Sequence, residues 1–244
     1  MAVIAVYSVK GGVGKTTIAA NLAWFSAALS RRKTLLWDLD AAGGAGFLFG
    51  VEPRRSHNAQ AIFARDTAPA DLIRKTATDR LDLLPADESL RDLDGLLVQI
   101  GKKRRLARLA EDLSKRYERI VLDCPPVLSE LSAQVIRAAD VVIVPLPPSP
   151  LSSRALDMVT AEIRANAKQQ PAILPVLSLL DVRRNLHKAA RAAHPGWPAI
   201  PQASVVEQGA VLQRAVGDFA PISPAARAFG HLWTAIERKL AELG

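Results

Sequence analysis

Apolar residues in this chain fall in blocks rather than singly. Short apolar, β-branched runs at residues 2–7, 34–37, 81–84, 119–122, 141–144 and 173–179 read as strands. Between them, apolar residues recur at helical spacing over 16–29, 93–117, 130–138, 152–168 and 185–193, and a last helix is predicted over 224–243. The strand blocks are continuous rather than alternating in polarity, the pattern of strands covered on both faces. Strands separated by helices predict an α/β fold with a doubly wound, mostly parallel sheet and helices on both faces. In such sheets ligands bind outside the carboxyl ends of the strands.

The stretch 43–69 has glycines, prolines and few long apolar runs, and reads as a connection with a short helix. Pro145-Leu146-Pro147-Pro148-Ser149-Pro150 directly follows a buried-type strand, so a rigid loop at the carboxyl edge of the sheet is expected. With 244 residues and no repeat or linker-like tract, residues 1–244 are expected to form one domain. No apolar run reaches the roughly 18 residues of a membrane span, and no signal peptide is recognisable at the start. The single cysteine, Cys124, has no disulfide partner and no metal-site spacing. A cytoplasmic protein is expected. Lys and Arg number 32 against 24 Asp and Glu, a net charge of +8. That excess points to nucleic acid or an anionic membrane as partner, or simply to an arginine-rich soluble surface.

The chemistry concentrates where the first strand meets the first helix, in Ser8-Val9-Lys10-Gly11-Gly12-Val13-Gly14-Lys15-Thr16-Thr17. A phosphate-binding loop is spelled Gly, four residues, Gly-Lys-Ser/Thr. Gly14-Lys15-Thr16 fit its end, Val9 stands where the first glycine belongs, and Lys10 is an added cation. Backbone N–H groups from Lys10 to Lys15, with a helix N-terminus behind them, make an anion site suited to a triphosphate. Lys15 is expected to neutralise the β- and γ-phosphates and Thr16 to offer its hydroxyl to Mg²⁺. Asp38 and Asp40 follow the second strand and Asp123 ends another, so carboxylates for a magnesium site are at hand. Taken alone, each also reads as a cap or turn residue.

Lys10-Gly11-Gly12-Val13-Gly14-Lys15-Thr16-Thr17 resembles the deviant Walker A box of the ParA/MinD ATPases, which tolerates a non-glycine at the Val9 position. Asp38-Leu39-Asp40 and Asp123-Cys124-Pro125-Pro126 look like that family's further nucleotide motifs. Val144-Pro145, Pro148-Ser149-Pro150-Leu151, Ile200-Pro201 and Pro221-Ile222 extend the likeness over nearly the whole chain. The resemblance implies a P-loop NTPase fold, ATP and Mg²⁺ as ligands, and a homodimer formed on ATP binding. It implies nucleotide contacts from Lys10, Gly11, Gly12, Val13, Gly14, Lys15, Thr16, Thr17 and Pro201, with Thr16, Asp38 and Asp123 at the metal. The lysine matching Lys10 reaches the partner's phosphates, and the aspartate matching Asp40 positions the attacking water. Slow hydrolysis stimulated by another protein is expected, since phosphoryl transfer rests on positioning and charge neutralisation. One departure is visible: relatives continue the Asp-x-Asp motif with Pro-Gln-Gly, whereas this chain has Ala41-Ala42-Gly43.

Three outputs fit such a switch. The first is non-specific DNA binding in partition or cargo positioning, with a ParB-like or cargo-adaptor protein as activator and a nucleoid-associated location. Leu179-Leu180-Asp181-Val182-Arg183-Arg184-Asn185-Leu186 resembles the DNA-contacting segment of small, Soj-like ParA proteins. Arg183 is the matching position, and Arg184, Lys188 and Arg191 lie close by at helical spacing. The second arginine such proteins carry after Ile-Pro is absent, which leaves Arg214 or Arg227 to compensate. Membrane attachment, as in MinD, needs an amphipathic tail; residues 229–240 read instead as a closing core helix, so a membrane partner is not expected. An assembly or polysaccharide-export ATPase is the third, although a metal-cluster carrier would need paired cysteines. The run Lys102-Lys103-Arg104-Arg105, with Arg108, reads mainly as a solvated or partner-facing surface. His57, His187, His194 and His231 read as surface or core residues, and Trp24, Trp37, Trp197 and Trp233 as packing residues.

Overall fold

The computed structural model describes residues 1–54, 58–64, 67–101, 103–166 and 170–243. Among these residues one eight-stranded sheet forms from β1 (Ala2–Val6), β2 (Thr34–Asp38), β3 (Arg74–Lys75), β4 (Leu81–Leu84), β5 (Arg119–Asp123), β6 (Val141–Leu146), β7 (Ala172–Leu180) and β8 (Ala199–Pro201). The order is β3-β4-β2-β5-β1-β6-β7-β8, and every neighbouring pair is parallel except β3–β4. The helices are α1 (Lys15–Trp24), α2 (Gly44–Leu48), α3 (Ala61–Ala64), α4 (Pro69–Leu72), α5 (Leu93–Ile100), α6 (Arg105–Leu113), α7 (Glu130–Ala138), α8 (Pro150–Asn166), α9 (Asn185–Ala193), α10 (Ser204–Leu212), α11 (Val216–Phe219) and α12 (Pro224–Leu243).

The continuous apolar strands behave as their pattern requires. In β1, Val3 and Ala5 enter one core while Ile4 and Val6 enter the other. The first core is filled by Leu93 and Leu97 of α5, Leu106 and Leu109 of α6, Val135 of α7 and Val159 of α8. The second is filled by α1 and by Phe229, Leu232, Trp233 and Ile236 of α12. Burying each large side chain of that α12 face contributes about 1.5–3 kcal/mol, so the face belongs to the core. At its C-terminal end α1 runs into a wider, π-helical turn over Phe25–Leu29, where Ser30 N–H bonds back to Phe25 O at 3.2 Å.

Several sequence expectations change. The helix predicted over 93–117 is two helices. Gly101 takes φ 66 and ends α5, donating to Leu97 O and Val98 O at 3.1 Å each. Arg105, expected to be solvated with its basic neighbours, is buried at the start of α6. Its guanidinium donates to Phe63 O (2.9 Å) and Ile62 O (2.7 Å), carbonyls of the short α3. Lys103, Arg104 and Arg108 are exposed as expected, while Lys102, Lys168 and His57 lie outside the described residues. Pro145, expected in a loop, is the fifth residue of β6. β1 pairs with β6 only as far as Val6↔Ile143, so the missing N–H of Pro145 faces no β1 neighbour. The strands β3 and β8 and the helix α11 are only two to four residues long, and α10 is interrupted by Glu207-Gln208-Gly209, so none of them stands out in the pattern.

Candidate functional site

The carboxyl ends of β1, β2 and β5 converge. Val6 and Asp123 are register partners, as are Asp38 and Asp123. Beyond Val6 the chain leaves the sheet through the buried Ser8, whose Oγ accepts from Lys10 N at 3.3 Å. Gly12 (φ 69) and Gly14 (φ 88) then take left-handed backbone, which side chains with a Cβ adopt only under strain. A Cβ added at Gly11, Gly12 or Gly14 would meet nothing within 4 Å, so the loop faces open space. Val13 between them is buried and anchors the loop to the protein. α1 starts at Lys15 without a side-chain cap or an acidic residue in its first turn, which leaves its N-terminal N–H groups to an anion.

Lys15 is 7% exposed and donates to Lys10 O at 3.2 Å. Burial lowers its pKa, with Asp123 and Asp40 pulling the other way. The Lys10 side chain makes no hydrogen bond or ion pair among the described residues. Thr16 and Thr17 are half-buried in the first turn of α1. A Cβ placed on Gly44 of α2 would lie 3.0 Å from Thr16 Cγ2, so α2 closes directly on this threonine.

The three aspartates differ in how they are held. Asp38 is buried and doubly anchored, with Oδ1 accepting from Asp40 N and Oδ2 from Ala45 N, both at 3.0 Å. Burial raises its pKa to about 7, against the lowering effect of those backbone N–H groups. Asp40 is half-exposed, and its Oδ1 accepts from Ala42 N at 3.1 Å. Asp123 is 0% exposed and neither carboxylate oxygen has a hydrogen-bond partner among the described residues. Burial raises its pKa well above the ordinary value and Asp38 adds to this, while the nearby Thr16 hydroxyl and Lys15 draw it down. A buried, unpartnered carboxylate costs free energy in isolation. Beside a buried lysine and an open glycine loop, the same arrangement fits a hydrated divalent cation and a polyphosphate. Cys124, the next residue, is packed inside the protein with its thiol pushed up by burial, so it is not a nucleophile here. Pro201 ends β8, three strands along the sheet from β1.

The basic residues lie elsewhere. Arg184 precedes α9, Lys188 and Arg191 lie along it, and all are exposed. Arg191 donates to Trp197 O, and Trp197 stacks on His194 with 3.8 Å between ring centroids. The Arg183 side chain is 88% exposed, yet Asp181 grips its guanidinium through two hydrogen bonds at 2.9 and 3.0 Å. Arg183 holds the Asp181 carboxyl down, to about 2. Buried His187 accepts Asp181 N–H at Nδ1 (2.9 Å), which ties this loop to the helix. Sequence reasoning missed Ala45 and Gly44. Both act through the backbone, and the only signal was the Gly43-Gly44 pair after Asp38 and Asp40.

A family model described as an AAA domain matches residues 1–174. The sporulation initiation inhibitor protein Soj of Bacillus subtilis is 32% identical over 75% of both chains. The chromosome-partitioning ATPase Soj of Thermus thermophilus is 31% identical, covering 98% of this chain and 96% of its own. The chain belongs to the ParA/MinD family of P-loop ATPases. Solved structures share the fold at lower identity. The ATP complex of Cyanothece McdA superposes with a TM-score of 0.82 at 20% identity, covering 99% of this chain and 96% of that one. MinD of Pyrococcus horikoshii with Mg-ADP gives 0.79 at 24% identity, covering 99% and 98%.

Proposed function

We propose that the chain is a Mg²⁺-dependent ATPase that works as a dimerising switch and holds DNA without sequence preference in its ATP state. The observation that carries this reading is the Asp123 carboxylate, fully buried and unpartnered beside Lys15 and the open glycine loop. Lys10, Gly11, Gly12, Val13, Gly14, Lys15, Thr16, Thr17 and Pro201 form the nucleotide-binding set, with Thr16, Asp38 and Asp123 turned to the metal. When bound, Mg²⁺ supplies positive charge against the β- and γ-phosphates. Lys15 neutralises its own subunit's phosphates, and Lys10, whose side chain has no partner among the described residues, serves the second subunit. Asp40, fixed by Ala42 N–H, orients the attacking water. Arg183, Arg184, Lys188 and Arg191 contact phosphates of nucleoid DNA, which places the protein in the cytoplasm on the nucleoid. A ParB-like or cargo-adaptor protein stimulates hydrolysis, and residues 1–244 act as one domain.

The dimer reading is tested with Asp40→Ala. That variant is expected to bind ATP at near-native affinity and to accumulate as a dimer in light scattering, with turnover reduced at least tenfold. An ATP-loaded variant that stays monomeric would falsify the assignment of Asp40. The core location of the α12 apolar face supports DNA over membrane as the surface held.

A further inference from the structure

The end of the sheet opposite the phosphate loop has a charge pattern of its own. Three loops meet there, before β2 (residues 30–33), before β4 (76–80) and before β5 (114–118), and these strands are adjacent in the sheet. Backbone hydrogen bonds join the loops. Thr34 N–H donates to Arg80 O (2.8 Å), and Glu118 and Arg119 N–H both donate to Lys33 O (2.8 and 3.2 Å). The Arg80 guanidinium donates to Arg31 O at 3.2 Å. Arg31 (φ 53) and Arg80 (φ 62) both hold left-handed backbone, which costs about 1–2 kcal/mol for a residue with a Cβ. Such strain persists only where surroundings fix it.

Arg31, Lys33, Arg80, Lys115 and Arg116 are all exposed at this edge. Of the neighbouring carboxylates, Asp112 at the end of α6 forms no ion pair among the described residues, and three others are already engaged. Glu118 is taken by Arg32 and by Lys33 N–H, Asp79 by Arg80, and Glu237 by Arg119. Arg31, Lys33, Lys115 and Arg116 form no ion pair among the described residues. Four unpaired cations thus sit on a braced platform in a chain whose net charge is +8.

We propose that this amino-end edge of the sheet is a second anion-binding face that takes the phosphate backbone of duplex DNA without needing bound nucleotide. Its cations are spread over about 10 Å across three strands, and a duplex offers a negative charge every ~1.7 Å of axis. Leu29 and Met1 are the large apolar side chains exposed beside these loops among the described residues. A membrane-binding surface combines charge with a set of inserted apolar groups, and two separate side chains supply little of that against four cations. The face lies at the opposite end of the sheet from the phosphate loop and from α9, so its test is independent of the switch.

The test is fluorescence anisotropy of the nucleotide-free protein with a labelled random-sequence duplex across a salt series. The triple variant Lys33→Gln/Lys115→Gln/Arg116→Gln spares the strained arginines and every ion pair, and its melting temperature checks folding. Binding at low salt is expected to weaken at least tenfold, with the log–log salt slope shallower by about 3. Arg183→Glu is expected to leave this nucleotide-free binding unchanged. Unaltered affinity and slope in the triple variant overturn the proposal, as does loss of the binding in Arg183→Glu alone. Loss of phosphatidylglycerol-vesicle flotation with duplex binding retained would assign the face to membranes instead. Failure to dimerise on ATP touches the switch but not this readout.

Discussion

Asp123 was recognisable in the sequence as a carboxylate at a strand end, but its burial and lack of partners were not. Those depend on β2 and β1 flanking β5 in register, a long-range outcome that spacing along the chain does not encode. The consequence is measurable. Asp123→Asn removes a buried charge that the nucleotide-free protein gains nothing from, so that protein is expected to be stabilised by about 1–3 kcal/mol at pH 8. Mg²⁺-dependent stabilisation by ATP is expected to disappear in the same variant, read as the loss of a thermal shift. A destabilised nucleotide-free variant would count against the site. Arg183 is a second residue whose sequence signal was incomplete, because its grip by Asp181 is visible only in the folded loop. Anions must compete with that carboxylate for the guanidinium. Asp181→Asn is therefore expected to tighten ATP-dependent DNA binding severalfold and Arg183→Glu to weaken it at least tenfold, both by anisotropy. Equal affinities in both variants would remove Arg183 from the interface.

Elements with strong periodicity were legible: the six longer strands and the helices at 130–138, 185–193 and 224–243 lie where the pattern puts them. What failed were signals carried by single residues. Gly101 interrupts a run that otherwise reads as one helix, and the short β8 follows Pro198 and ends on Pro201. α11 was invisible because a side chain from far away in the chain holds it. Asn21 of α1 accepts Val216 N–H at 2.8 Å through Oδ1 and donates to Thr17 O at 2.9 Å through Nδ2. Gly217 then packs so close that a Cβ would lie 2.2 Å from the Trp24 ring. Asn21 thus links the helix behind the phosphate loop to α11. Asn21→Ala leaves a buried N–H unpaired and is expected to cost about 1–3 kcal/mol in a denaturant titration, with ATP affinity reduced too. Stability within 0.5 kcal/mol of wild type, roughly the surface-substitution level, would show the link to be dispensable.

Across the whole molecule, the parallel sheet gathers carboxylates at one end and unpaired cations at the other. The carboxylate end sets the pH response. Asp38 titrates near 7 when folded and near 3.9 when unfolded, so the native state binds more protons between those values. Stability of the nucleotide-free protein is therefore expected to fall as pH rises through that window, and Asp123 acts in the same direction. Over the whole window the Asp38 contribution is on the order of 4 kcal/mol. Asp181 and Glu118, whose pKa values are lowered, add stability that is lost only at more acid pH. Melting temperatures at pH 5.5 and pH 8, both inside the range about 5 to 8 where stability ordinarily peaks, check the sign. A higher value at the alkaline end would refute it.

The turn after Asp38 holds one more implication. Asp40 accepts Ala42 N–H through its side chain and Gly43 N–H through its carbonyl, so among the described residues its carboxylate is oriented by a peptide group rather than by a side chain. The turn over Ala41-Ala42-Gly43 therefore draws on backbone N–H groups that other residues at position 42 would supply equally. Position 42 should accept almost any residue except proline, and position 43 should insist on glycine for its φ of 66.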